Sequence, residues 1–570
     1  MPSARTLLQH TFSLSLLCVL AACNLLPAQN SAPPAIKAAQ VTRPFPPDTL
    51  YALLLAEMAL DRGQMNLALV SYLQQAHKTR DLGVVSRATL LADYLHAPEA
   101  ALNAATLWTT LAPNNPEPRF ILARYQLLTQ RTDLAFDSSK KLLSMKAQTL
   151  FLPIAAAATN AQQRQSLLKS YQDLLQQYPH SIDLLLGTAL LLEQQQNYAE
   201  SLRYIAKAQT EDKQNPQARL LEVDVLYKSG NPEKAIKRMS SLVEASPSNA
   251  NLRLQYARLL TAYNLQKARE QFDYLAKDNP LNADLLLARA LINYRLNDFV
   301  QATDLFEQLL FLGKSKDVAH YYLGDIAQTT KQPQKALEHY RRVEPNSGEY
   351  LPAVARAVDL MMKEGQSTEI QRWLAEQRRL YPEQAVQLYL IEAETQLIKQ
   401  RNPQRSLAVL NDGIHAHPEA TKLYYARSLL LEQTGKTQAA EADLRRVLAA
   451  QPNNVDALNA LGYLLLNNDK KMLGEAEQLI RRALAQRPED PAIMDSMGWL
   501  LFRLGQYEEA VLRLQRAYQL LPNDEVAAHL GEALWRGGHQ KAAEKIWAQG
   551  LKQKPDSDII RATQKRLQAS

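Results

Sequence analysis

Between Pro491 and Pro522 apolar side chains recur twice with the 3.6-residue period of an amphipathic helix. The first stripe is Ile493, Met494, Met497, Leu500, Leu501 and Leu504, and Gly505 stands where the helix should end. The second is Tyr507, Ala510, Val511, Leu514, Ala517, Tyr518 and Leu521, stopped by Pro522. Two short stripes with a glycine turn between them predict an antiparallel helix pair. Gly498 lies inside the first helix, where it costs roughly 1 kcal/mol against alanine. With Ala510 in the second helix, it predicts a close approach of the two backbones.

The pattern repeats. A residue opening the second helix of each pair, mostly alanine, forms a ladder, Ser201, Ala235, Ala268, Ala302, Ala336, Ile370, Ser406, Ala440, Ala476, Ala510 and Ala543, with steps of 33 to 36 residues; Ile370 and Ser406 depart from the alanine pattern. It continues less regularly upstream through Ala68, Ala100, Ala135 and Leu167. Prolines close many units, among them Pro418, Pro452, Pro488, Pro522 and Pro555. The units resemble the tetratricopeptide repeat, a helix pair of about 34 residues. The motif residues are Gly498, Gly505, Tyr507, Ala510, Leu514, Ala517 and Pro522, with counterparts Gly531, Gly538, Ala543, Trp547, Gly550 and Pro555 in the next unit. One such pair cannot bury its apolar face alone, so the expected fold is all-α: a solenoid of stacked antiparallel helix pairs, wound as a tetratricopeptide superhelix. The repeat array spans 181–555, a helical region of looser pattern 48–180, and a polar capping helix 556–570.

The start of the chain is of another kind. Residues 1–22 hold Arg5 and then no charge from Leu7 to Ala22, a run too short to span a bilayer and typical of a secretion leader. It ends Leu20-Ala21-Ala22-Cys23, which resembles the bacterial lipobox. The resemblance implies cleavage before Cys23 and a diacylglyceryl group on its sulfur, so that Cys23 carries two or more acyl (palmitate-type) chains, enough for stable anchoring. Asn24 follows in place of the aspartate that marks inner-membrane retention, so the pattern implies the outer membrane, facing the periplasm. An ordinary leader that happens to contain a cysteine is the plain alternative. The rest of 23–47 is rich in Pro, Ala and small polar residues and reads as a tether.

Composition adds limits. Hydrophobic residues at 46% can fill a continuous core, and 18 glycines with 22% charged residues suit long helical arrays. The formal charge of +7, or +6 once Arg5 is removed with the leader, is too dilute over this length to imply nucleic-acid binding. Cys18 falls in the leader, which leaves Cys23 and no disulfide framework. GxSxG, HExxH, CxxC and GxGxxG motifs are absent. Gly435-Lys436-Thr437 has Leu430 where a phosphate loop needs its first glycine, and reads as a turn between helices. His415 and His417 stand two apart, on different helix faces, and do not suggest a metal site. The sequence therefore predicts no enzyme and no cofactor beyond the lipid on Cys23.

What remains is a binding surface. In tetratricopeptide stacks the first helix of each pair lines the groove, and by that register Tyr463, Trp499, Phe502, Arg503, Trp535 and Arg536 face it. Aromatic and arginine side chains are common interface anchors; packing between adjacent repeats is the competing role for Trp499 and Trp535. The family's clamp for a C-terminal carboxylate is not matched. Asn459 and Tyr463 occupy two of its places in one repeat, but Asp495 and Trp499 stand there in the next.

Lipobox, tether, repeats and the segment from Tyr51 to Leu95 together resemble the LbcA-type family of outer-membrane tetratricopeptide lipoproteins. The resemblance implies a non-catalytic adaptor that binds a periplasmic serine protease of the carboxyl-terminal-processing kind, delivers cell-wall hydrolases to it and promotes their proteolysis. A repeat scaffold for exopolysaccharide secretion or outer-membrane assembly, and an enzyme with an unrecognised site in 48–200, are the rival expectations.

Overall fold

Helix starts are written into the sequence as asparagine, aspartate and proline. Asp490 accepts hydrogen bonds from the Ala492 and Ile493 amides at 3.0 and 3.4 Å, and Pro491 occupies the first helical position. Asn115, Asn197, Asn215, Asn249, Asn402 and Asn523 cap other helices in the same way. A computed structural model describes residues 44–399, 401–468 and 472–568, and among these there are helices and turns but no strand. The leader, Cys23 and most of the tether lie outside the described residues. Phe45 packs against the first apolar cluster, and the first helix, Pro47–Asp61, begins just after it.

The chain divides into two compact units, Met1–Lys314 and Ser315–Ser570, each a stack of antiparallel helix pairs. Within a pair the two helices are buried to different extents. Pro491–Arg503 buries every residue from Ile493 to Leu501, because it is packed by its own partner and by neighbouring pairs. Its partner Tyr507–Leu520 buries only Ala510, Leu514 and Ala517 and turns a polar face to solvent.

The ladder of small residues sets the register. From Ser201 to Ala543 each rung is the fourth residue of its helix and at most 1% exposed. The two serines show how near the backbones come. Ser201 Oγ donates to the Ala189 carbonyl at 2.7 Å, and Ser406 Oγ to the Ala393 carbonyl at 2.8 Å. Upstream, Ala68 and Ala135 hold the same place, but the rung expected at Ala100 is Ala101. Pro98 fixes the helix start, so the fourth residue is Ala101, fully buried, while Ala100 is only partly covered. Leu167 departs further: it is the seventh residue of Ala161–Gln177, whose fourth is Arg164.

That unit is built differently. Its first helix, Phe151–Ala156, has six residues and contains Pro153. Asp183, from the following helix, accepts from Thr149 Oγ1 at 2.5 Å and from the Phe151 and Leu152 amides at 2.7 and 3.1 Å. Tyr171 donates to the Phe151 carbonyl at 2.8 Å and stacks on Phe136, their centroids 5.8 Å apart. Long-range polar contacts replace the small-residue crossing here.

The mid-helix glycines stand against the partner helix, where a Cβ on Gly498 would lie 3.3 Å from the Leu514 backbone nitrogen, and they also make room for a side chain. A Cβ on Gly498 would meet Leu514 Cγ at 2.6 Å, and one on Gly531 would meet Trp547 Nε1 at 1.9 Å. Each glycine is a hole for the large side chain one turn beyond the rung. Gly324 makes the same hole for Tyr340 and Gly462 for Ile480. The helix-ending role of Gly505 is as expected, at φ +80°.

Candidate protein-binding groove

The first helices of four successive pairs, Thr421–Gln433, Val455–Asn468, Pro491–Arg503 and Asp524–Arg536, line a groove of about 530 Å³ in the second unit. They do so because each presents residues three and four apart on one side. Tyr425, Leu429 and Glu432 come from the first helix, and Asp456, Asn459 and Tyr463 from the next. Apolar Leu429, Ala460, Ile493 and Val526 alternate with carboxylates, so the walls are mixed rather than greasy.

Charge in the groove is one-sided. Asp456 meets Arg487 at 2.9 Å, and Asp490 lies 3.9 Å from the same guanidinium. Asp495 is buried against His529, with Nδ1 3.0 Å from each carboxylate oxygen. Burial opposes charging of that imidazole, but Asp495, Glu525 and Glu532 outweigh it and hold His529 above the usual histidine range. Glu525 accepts from the Tyr463 hydroxyl at 2.7 Å. Burial, and then the Glu525 charge, push the Tyr463 hydroxyl well above the ordinary phenol range. Burial, with the same Glu525 charge added, also raises Glu432, which has no ion-pair or hydrogen-bond partner among the described residues.

Of the six side chains expected to face the groove, Tyr463 lines it. Trp499 forms the wall behind, 9% exposed, stacked on His529 at 4.2 Å and on Phe502 at 4.7 Å, with Nε1 donating to Asn467 at 3.0 Å. It joins three consecutive repeats. Phe502 and Arg503 are half-buried at the far end of that helix, outside the groove lining. Trp535 packs against Trp547 at 5.7 Å, and Arg536 is exposed. Sequence reading missed Glu432, Asp456 and Glu525, since a lone acid on a helix gives no signal until four helices gather them. Asn459 and Asp495 stood out only as places in an unmatched clamp. Among the described residues no group of three or more His, Cys, Asp or Glu side chains could hold a metal ion, and no helix is long and apolar enough to cross a membrane.

An array of helix pairs whose inner helices line a groove is the architecture of a protein-interaction scaffold. The sequence model of the tetratricopeptide repeat matches residues 168–216, 258–317, 425–491 and 496–558. TPR repeat-containing protein PA4667 of Pseudomonas aeruginosa is 36% identical over 526 residues, which cover 92% of this chain and 88% of that protein. The chain belongs to the tetratricopeptide-repeat family.

Solved structures are similar at lower level. The Naa15/Naa10 complex bound to HypK-THB is 12% identical, with 86% of this chain and 96% of that chain covered and a TM-score of 0.39. The Cut9-Hcn1 tetramer of APC/C is 14% identical, with coverages of 91% and 96% and a TM-score of 0.33. The thermophilic TPR protein TTC0263 of Thermus thermophilus is 19% identical, with coverages of 33% and 100% and a TM-score of 0.29.

Proposed function

We propose that the chain is a lipid-anchored periplasmic adaptor that grips a carboxyl-terminal-processing serine protease together with its cell-wall hydrolase substrates and promotes their cleavage. The observation that carries the binding role is the groove built by four consecutive first helices, with room for an extended segment. The Leu20-Ala21-Ala22-Cys23 sequence supports anchoring at the outer membrane, and the resemblance of residues 51–95 supports the protease as partner. Holding enzyme and substrate on one scaffold raises their mutual effective concentration, to about millimolar for short spans.

The test is crosslinking and capture from native membranes, read by mass spectrometry, with Cys23→Ala alongside. The expected result is a serine protease and wall hydrolases on the wild-type chain, and loss of Cys23→Ala protein from the membrane fraction. A β-barrel or a polymer synthase in place of the protease would move the reading to the secretion or assembly scaffold. Membrane retention of Cys23→Ala would remove the lipid anchor.

A further inference from the structure

We infer that the groove between helices Thr421–Gln433 and Asp524–Arg536 receives an extended, lysine- or arginine-bearing segment of a partner protein. The inference rests on the scaffold reading above and names the chemistry of what the groove takes. Among the described residues, three acceptors in the groove are short of donors. Glu432 has no cation, Glu525 has only the Tyr463 hydroxyl, and Asn459 Oδ1 is fully buried with no hydrogen-bond partner. A buried acceptor without a donor is costly, and a peptide N–H or ammonium supplies what it lacks.

The negative charges already satisfied use local cations, Arg487 for Asp456 and Asp490, and His529 for Asp495. Among the described residues no cation pairs directly with Glu432 or Glu525, and the Glu525 charge adds to burial in raising Glu432. The alternation of these carboxylates with Leu429, Ala460, Ile493 and Val526 suits a strand-like segment, whose successive side chains point to opposite sides. An anionic ligand is disfavoured by the same arrangement: Asp495 stands where a carboxylate clamp needs a neutral or basic donor. The chain is basic overall, at +7, so an acidic groove is a local feature and not a reflection of bulk composition.

The test uses the mature full-length protein and a fluorescent nonapeptide, blocked at both ends, with lysine at alternate positions among alanine and leucine. Its counterpart has glutamate for lysine. Anisotropy titration at near-physiological salt should show tighter binding of the lysine peptide. Glu432→Gln with Glu525→Gln should weaken it at least tenfold, while Glu508→Gln with Glu509→Gln, on the exposed face of Tyr507–Leu520, should change it less than twofold. Equal weakening by both pairs would mean diffuse attraction and overturn the assignment, as would equal binding of the glutamate peptide. Circular dichroism confirms that the groove variant is folded. If that variant is misfolded, a photo-crosslinker in the lysine peptide decides with the wild type: attachment to residues 425–463 or 490–526 supports the site, and attachment elsewhere refutes it. Failure of peptide selectivity with the protease still captured from membranes overturns the groove assignment alone. Intact selectivity with a different membrane partner overturns the protease alone.

Discussion

The last helix, Asp558–Gln568, turns Ile560, Thr563 and Leu567 inward and leaves mostly charged and polar residues outside, with Ile559 the exposed large apolar side chain. The first, Pro47–Asp61, turns Thr49, Ala56 and Ala59 inward and leaves Leu50, Tyr51, Leu54, Leu55 and Met58 between 45% and 65% exposed. Leu67 and Val70 of the next helix, Met65–Thr79, extend that apolar surface. A stack of helix pairs always ends in a face that a further repeat would have covered. Among the described residues, the last helix supplies a largely polar cover, and the first leaves an apolar face of the kind a further repeat buries. Capping is thus a property of sequence at each end separately, and the stability each end draws from its last helix should differ accordingly.

The largest effect should come from the repeat beneath the C-terminal cap. Trp547 is fully buried and fills the hole left by Gly531. Trp547→Ala empties it and should cost about 3–5 kcal/mol. Because stacked repeats open piecewise, hydrogen exchange of Asp524–Arg536 and Gln540–Gln553 is the proper measurement, and full protection there would refute the packing described. A smaller loss is expected from Arg566→Ala. Arg566 holds both oxygens of Glu532 at 2.6 and 2.7 Å, and Glu532 is 5% exposed while Arg566 is 56% exposed. Removing the guanidinium leaves a buried carboxylate without its cation. Its exposure limits the cost to about 1–2 kcal/mol, seen as fraying of Asp558–Gln568 while the N-terminal pair is unchanged.

Much of this design was legible beforehand. A residue recurring every 33 to 36 positions, small at every rung but Ile370, cannot be hidden by local chemistry, so the ladder from Ser201 to Ala543 emerged directly. The slip to Ala100 arose where two alanines adjoin and only the position of Pro98 chooses between them. Leu167 misled because its repeat is held by Asp183 and Tyr171, contacts distant in sequence. Several turns gave no glycine signal: Gln196 and Lys331 take φ of 62° and 61°, a left-handed backbone that glycine adopts without strain. The groove's aromatic wall was visible in Trp499 and Tyr463. Its acidity was not, since Glu432, Asp456 and Glu525 read singly as solvated charges.

The two ends should also respond differently to pH. His529 lies in the helix that the cap covers, facing Asp495, Tyr463 and Trp499, with Glu525 and Glu532 nearby. Its folded value is raised, so its contribution to stability is fully present below the ordinary histidine value near 6.5. It is lost as pH rises through the raised one. Thermal melts of the second unit should therefore fall by roughly 2–4 °C between pH 6 and pH 9 per kcal/mol lost. His529→Gln should flatten that slope. A slope unchanged by the substitution would place its origin elsewhere.

The smallest effect, and the sharpest test of the comparison, is at the N-terminus. Leu54 and Met58 lie one turn apart on the exposed face, at 55% and 50%. If that face is an uncovered end and not part of the core, their side chains already meet water, and exchanging them for glutamine removes little buried area. Leu54→Gln with Met58→Gln should shift stability by no more than about 0.5 kcal/mol. Ala59→Gln, on the same helix but 5% exposed, should destabilise the pair Pro47–Asp61 and Met65–Thr79 clearly, because it forces a polar chain into a filled crossing. Hydrogen exchange across 47–79 reads both. If the exposed pair proved as damaging as Ala59→Gln, those side chains would be core, and the contrast between a covered and an uncovered end would fall.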